Sequence, residues 1–382
     1  MYILTRRVFR MINGLSLFAN VGIAETYLHQ VGVDIVVANE LLPERARFYQ
    51  HLFPECNMIC GDITNEITYN MVVEESRRNN VDFIIATPPC QGMSIAGQMN
   101  PEDPRNYLIT YAVEAIRDLG PSYVFMENVF MQLQTYINYG GERILIPDFI
   151  DAVLGEDYYI EKKVIDTKFF GVPQQRKRAI MLLSRKDNGV HWTFPQNDTN
   201  IITLEQAIGD LPSLDPLVKE VQYRDFFPDY EIKRQRGLEV SQWHCPRPHV
   251  WRNVECMLHT PTGCSARQNA VYFPKKKDGT MVGGAPRTYM RMDWDKAAPT
   301  ITSYNHTISS FQNVHPGRLI EDTGLYSDPR VLTIFEMIRV MSLPDNWNIP
   351  DWASTQLIRQ VIGEGVPPEA VRRIVEVLNI DR

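Results

Sequence analysis

Cys90 follows a Pro-Pro pair in Thr87-Pro88-Pro89-Cys90-Gln91-Gly92, where the apolar run 81–86 stops. A cysteine placed there is held rigidly at a strand end and points into a cleft, which suits a nucleophile once its thiol reaches the thiolate. Taken alone, the pattern fits a buried structural cysteine equally well. Other polar groups fall at comparable places: Asn20, Glu40, Asp62 and Glu127 each close a short apolar run. Core packing does not put charged groups at such positions. Ligand binding at the carboxyl ends of parallel strands does.

The elements that must carry these groups alternate strand and helix. Strands are expected at 13–18, 34–38, 58–60, 81–86 and 123–126, and helices at 23–30, 43–52 and 107–119. That alternation predicts a doubly wound parallel sheet. From 191 to 327 the periodicity fades and Pro, Gly, His, aromatic and basic residues rise, as in a second, smaller, irregular domain. Helical patterning returns at 333–341 and 367–377, a tail expected to pack back on the first domain. The expected division is 1–190, 191–327 and a returning segment 328–382.

The chain has 382 residues and a net charge of −7, which argues mildly against a nucleic-acid partner. The distribution argues the other way. Between Pro246 and Arg318 there are ten Lys/Arg and four acids, the footprint of a surface that meets phosphates. No apolar run is long enough for a membrane span, and 1–18 reads as lead-in to a strand rather than as a signal peptide. A cytoplasmic protein is expected. The six cysteines lack a C-x-x-C pair. The spacing of Cys245, His249, Cys256 and His259 is unlike familiar zinc modules, so no metal is expected.

Pro88-Pro89-Cys90-Gln91, then Glu127-Asn128-Val129, then Gln174-Gln175-Arg176-Lys177-Arg178 resembles the cytosine-C5 DNA methyltransferase family in order and spacing. The resemblance runs over about 15–185 and from 330 to the end. It implies an α/β, Rossmann-like sheet that uses S-adenosylmethionine, with a target-recognition domain in the intervening stretch. On that resemblance Cys90 adds as thiolate to cytosine C6, Glu127 bonds N3 and the exocyclic amine, Arg178 holds O2, and Arg176 sits close behind. Phe18-Ala19-Asn20-Val21-Gly22 resembles the cofactor motif Phe-Ala-Gly-x-Gly-Gly, with Asn20 and Ile23 replacing glycines and Ser16 standing where an acid is usual. Phe18 would stack on adenine, Glu40 take the ribose hydroxyls, Asp62 the adenine amine, and Ile63 pack on the ring.

Gly363-Glu364-Gly365-Val366-Pro367 resembles the motif beside the methionine part, with Glu364 replacing Asn and Val366 the cofactor-binding candidate. Arg330 to Asp345 resembles the motif that supports the recognition domain. The segment 94–106 resembles the loop that closes over DNA, with Ser94 and Arg105 as candidate contacts. Candidate base readers are Arg267, Arg287, Arg291, Tyr304 and Asn305. The implied partners are double-stranded DNA and a separately acting restriction endonuclease, the protein itself being a monomer. Two rivals stay open: a tRNA cytosine-C5 methyltransferase, and a DNA-binding subunit impaired in catalysis. An amino-group methyltransferase or a nicotinamide-dependent enzyme fits less well, because neither needs Pro-Cys-Gln.

Overall fold

The computed structural model describes residues 11–89, 104–276 and 278–380. Cys90, Ser94 and Lys277 therefore lie outside the described residues. The chain forms two compact units. One comprises Met1–Asp166, Lys177–Asn197 and Pro368–Arg382, the other Thr167–Arg176 and Asp198–Pro367.

The first unit is built on seven strands: β1 (Ile12–Leu17), β2 (Val33–Glu40), β3 (Asn57–Cys60), β4 (Phe83–Ala86), β5 (Tyr123–Val129), β6 (Tyr158–Asp166) and β7 (Lys177–Arg185). Their order is β3-β2-β1-β4-β5-β7-β6. β1 to β5 pair in parallel, whereas β7 runs antiparallel to both β5 and β6. The expected all-parallel sheet is thus a mixed one. β4 is buried at every position, as a strand covered on both faces must be. On one face Leu15, Leu17, Ile84, Ala86, Val124 and Met126 pack with residues of helices α2 (Glu66–Arg78), α3 (Leu108–Leu119) and α4 (Ile146–Leu154). On the other, Trp192 packs its ring against Phe83, Tyr123 and Phe125 at 6.2–6.5 Å, and its Nε1 donates to the Ile374 carbonyl at 3.0 Å. Ile374 belongs to the C-terminal helix, Pro368–Glu376, so that helix completes this unit.

Local signals explain most boundaries. Helix α1 (Pro43–Leu52) opens on a proline, whose fixed φ suits the first helical turn. α2 is capped by Asn65, which accepts from Ile67 N and Thr68 N. α3 stops at Gly120 with φ +58. The helix expected at 23–30 does not form. Turns occupy the stretch, followed by a 3-10 turn at Leu28–Val31. Thr26 Oγ1 donates to the carbonyls of Gly22 and Ile23, local bonds that compete with a helix start.

The second unit has little regular structure. Its helices include α5 (Leu204–Ile208), α6 (Tyr230–Val240), α7 (Trp251–Leu258), α8 (Ile334–Val340) and α9 (Thr355–Glu364). The stretch 328–367 belongs here rather than to the first unit, as had been expected from its helical pattern. The reason is a buried ion network. Arg330, fully buried, donates to Asp328 Oδ1 at 2.7 Å and to Glu336 Oε1 and Oε2 at 2.8 and 2.9 Å, and its Nε donates to the Leu214 carbonyl. Asp328 also accepts from Leu214 N and Ser213 Oγ, which ties 213–214 to α8.

Candidate active site and cofactor site

In the first unit the acids stand at the carboxyl ends of neighbouring strands. β1 ends in a sharp turn in which Phe18, Asn20 and Gly22 all have positive φ, of 59, 50 and 81°. At Gly22 an added Cβ would lie 2.2 Å from the Phe53 ring, so the position admits only glycine. Asparagine is the non-glycine residue that tolerates such a φ, which is how Asn20 substitutes for the family's glycine. Asn20 N donates to Glu40 Oε2 and Leu42 N to Glu40 Oε1, both at 2.9 Å. Burial raises the Glu40 pKa, opposed by those amide bonds. Each carboxylate oxygen has further acceptor capacity, which suits a ribose diol.

Asn39 Nδ2 donates to the carbonyls of Ile59 and Gly61, joining the ends of β2 and β3. Asp62 is exposed there, with Oδ1 accepting from Thr64 N and Oγ1, and Ile63 is buried beside it. Phe18 packs half-buried on the core. Asn20 Oδ1 is buried without a hydrogen-bond partner. An orphaned acceptor beside the ribose-type acid, and a turn without room for a Cβ, fit an adenosine cofactor. The structure thus gathers Phe18, Asn20, Gly22, Glu40, Asp62 and Ile63. Val366 is buried in the second unit.

The catalytic candidates cluster on β5 and β7. Glu127 faces Ile180 in register and Val129 faces Arg178, so Glu127 and Arg178 are diagonal neighbours on one face. Arg178 Nε reaches Glu127 Oε1 at 2.7 Å, and both side chains are largely buried. Asn128, whose own role the sequence left unassigned, donates through Nδ2 to the Pro88 carbonyl at 2.9 Å and accepts from Val129 N. Thr87 Oγ1 donates to the Phe18 carbonyl at 3.1 Å. The Pro-Pro turn that leads into Cys90 is therefore pinned from β5 and from the turn after β1. The only signal for Asn128 in the sequence was its adjacency to Glu127.

Arg176 belongs to the second unit and is buried. Its guanidinium donates to the carbonyls of Ile301, Gly363 and Glu364. It fastens loops together and does not present itself to a substrate. Two expected base readers are corrected. Arg291 is fully buried and donates to the carbonyls of His315, Asp328 and Met257, and burial lowers its pKa to about 10. Asn305, also buried, bonds Thr302 O, Arg359 O and Arg359 Nη1. Neither can reach a base edge. Tyr304 and Arg287 are exposed and Arg267 half-buried, the last lying over the Tyr289 ring. Arg105 is exposed as well. A cleft of about 280 Å³ is lined by Arg252, Glu255, Tyr272, Phe273, Lys275 and Lys276, its basic members all drawn from the basic stretch Pro246–Arg318.

The strand order with one reversed strand, the tight turn after β1 and the acids at the ends of β2, β3 and β5 define an α/β methyltransferase. The structure of Spodoptera frugiperda DNMT2, solved as a triple mutant, has the same fold, with a TM-score of 0.60 at 19% identity over 97% of this chain and 99% of that one. The model of the family described as C-5 cytosine-specific DNA methylase matches residues 12–379, and the chain belongs to that family. Type II methyltransferase M1.HgaI of Avibacterium volantium is 43% identical over 96% of this chain and 98% of its own. Type II methyltransferase M1.HphI of Haemophilus parahaemolyticus is 26% identical over 95% and 85%. The chain is accordingly a DNA (cytosine-5-)-methyltransferase, of a family whose methyl donor is S-adenosylmethionine. Among the described residues no helix is long and apolar enough to cross a membrane.

Proposed function

We propose that this enzyme methylates C5 of a cytosine flipped out of one short duplex DNA sequence, through a covalent bond from Cys90 to C6, as the modification enzyme of a Type II restriction system. The observation that carries the reading is the Glu127–Arg178 pair at the end of β5, one residue from the Asn128 tether to Pro88. S-adenosylmethionine supplies an electrophilic methyl when bound. In the first unit Phe18, Asn20, Gly22, Glu40, Asp62 and Ile63 are the residues to hold it. A cytosine in a duplex is out of reach of any side chain in the fold, so the base must leave the stack. The Cys90 thiolate would add to C6 while Glu127 shares its proton with N3, making C5 an enamine carbon able to attack that methyl and displace it from the cofactor's sulfur. Loss of the C5 proton to a base then expels the thiolate and restores the ring. Arg178 holds Glu127 in place, and its guanidinium would bond the base at O2.

On this reading Ser94 and Arg105 approach the DNA from the loop after Cys90. The exposed Arg287 and Tyr304 and the half-buried Arg267 are the candidates for phosphate and base contacts, joined by Lys275 and Lys276. The enzyme works as a cytoplasmic monomer, with the cognate endonuclease acting separately.

The test is transfer of labelled methyl to duplex DNA and to tRNA, followed by bisulfite sequencing. Methyl at C5 within one short DNA sequence is the expected result. Transfer to tRNA alone overturns the substrate, and transfer to neither leaves a DNA-binding role. In the same assay Glu127→Gln keeps the shape but loses the shared proton, and kcat should fall about 10²- to 10⁴-fold. Duplex affinity should change little, as measured by gel shift. A fall below about tenfold would remove Glu127 from proton transfer.

A further inference from the structure

Ser16 and Glu25 make a pair unlike the family pattern, in which an acid stands at position 16. Ser16, in β1, donates through Oγ to Glu25 Oε1, and both residues are buried, Glu25 being 5% exposed. Among the described residues no Lys, Arg or His pairs with Glu25. The ionisable groups it acts on are Tyr49 and Cys56, neither of them cationic. Burial, only partly opposed by the Ser16 hydroxyl, raises its pKa to about 7, and the same buried charge helps keep the Tyr49 phenol and Cys56 thiol protonated. A carboxylate removed from water with only the Ser16 hydroxyl and its own backbone N–H as donors is under-compensated, and a cation from outside the chain would balance it. Glu25 is joined rigidly to the turn after β1, because Thr26 Oγ1 bonds the Gly22 carbonyl and Leu28 N bonds the Glu25 carbonyl.

We infer that Glu25, held by Ser16, supplies the negative charge this chain lacks at position 16 and balances the α-ammonium of the methionine part of S-adenosylmethionine. The inference rests on the reading that the turn after β1 holds the cofactor. Glu25 then sets affinity for the methionine part and leaves the adenosine part alone.

Calorimetric binding to the full-length protein separates the two parts. The probes are S-adenosylhomocysteine, which has the ammonium, and methylthioadenosine, which lacks the whole amino-acid portion. For Glu25→Gln the dissociation constant of S-adenosylhomocysteine should rise about tenfold or more, and that of methylthioadenosine should stay within about twofold. The exchange Ser16→Asp with Glu25→Ser should return S-adenosylhomocysteine binding to within about threefold of wild type. Equal weakening for both probes, or no weakening, overturns the proposal. If Glu25→Gln does not fold, the wild type decides. Between about pH 6 and pH 8 Glu25 ionises, so S-adenosylhomocysteine should bind more tightly as pH rises while methylthioadenosine does not. A parallel pH response of the two probes overturns the proposal. Failure of the underlying site reading shows separately: Glu40→Ala would then leave both probes bound as in wild type.

Discussion

Replacing Cys90 by serine should lower methyl transfer by about 10⁴-fold or more while DNA binding persists, because the reaction needs an anion to open the aromatic ring. A thiol is partly ionised near neutral pH and its sulfur is a strong nucleophile. A serine hydroxyl is neither. What the fold supplies is direction. Asn128 Nδ2 holds the Pro88 carbonyl and Thr87 holds the Phe18 carbonyl. The chain therefore enters position 90 from a fixed point whichever side chain follows. The substitution removes the nucleophile and leaves this approach intact, so the loss should fall on kcat. Labelled transfer and gel shift on the same preparations measure it. Activity within about tenfold of wild type would mean that the reaction does not pass through Cys90.

Arg330→Met should cost the second unit about 3–5 kcal/mol, because it leaves Asp328 and Glu336 buried without their shared cation. Methionine keeps most of the volume, so the effect isolates charge from packing. Against burial, His315 and then Arg330 hold Asp328 well below the usual carboxylate range, and Arg330 above all holds Glu336 down to about 2. Both carboxylates are depressed in the folded state, so their contribution is present above the unfolded values near 4 and is lost as pH falls through the folded ones. Burial lowers His315 to about 4, so between the unfolded value near 6.5 and 4 protons also favour the unfolded chain. Stability should thus decline below about pH 6 and more steeply below pH 4. Arg330→Met should be less stable at neutral pH and show a shallower acid decline. Urea melts at several pH values test this, and an unchanged acid slope would show that Arg330 does not set the carboxylates.

The sequence made the first unit legible where local signals and global packing agree. Pro43 opening α1, the Gly120 stop of α3 and the buried run of β4 each point to what they build. It misled at 23–30, where an apolar spacing suited a helix but Thr26 bonds its own backbone and Gly22 sits at positive φ. The reversed strand β7 was out of reach, since strand direction depends on partners far away in the chain. The placement of Glu40 and Glu127 towards strand ends was legible, because charge there has no packing purpose. The base readers were not. An exposed Arg287 and a buried Arg291 look alike in sequence, and only the carbonyls gathered around Arg291 tell them apart. The boundary at 328 failed for a related reason: the amphipathic pattern of α8 reveals that it packs, but not on what.

The chain passes between the two units four times, after Asp166, Arg176, Asn197 and Pro367. During synthesis the first unit must wait for its final helix, and Trp192 for its Ile374 partner, until the whole of the second has been made. Transplanting 198–367 between relatives would also leave the ten residues Thr167–Arg176 behind, with Arg176 reaching for carbonyls at 301, 363 and 364 that now belong to a foreign segment. A viable hybrid has to carry that short strap along with the cassette.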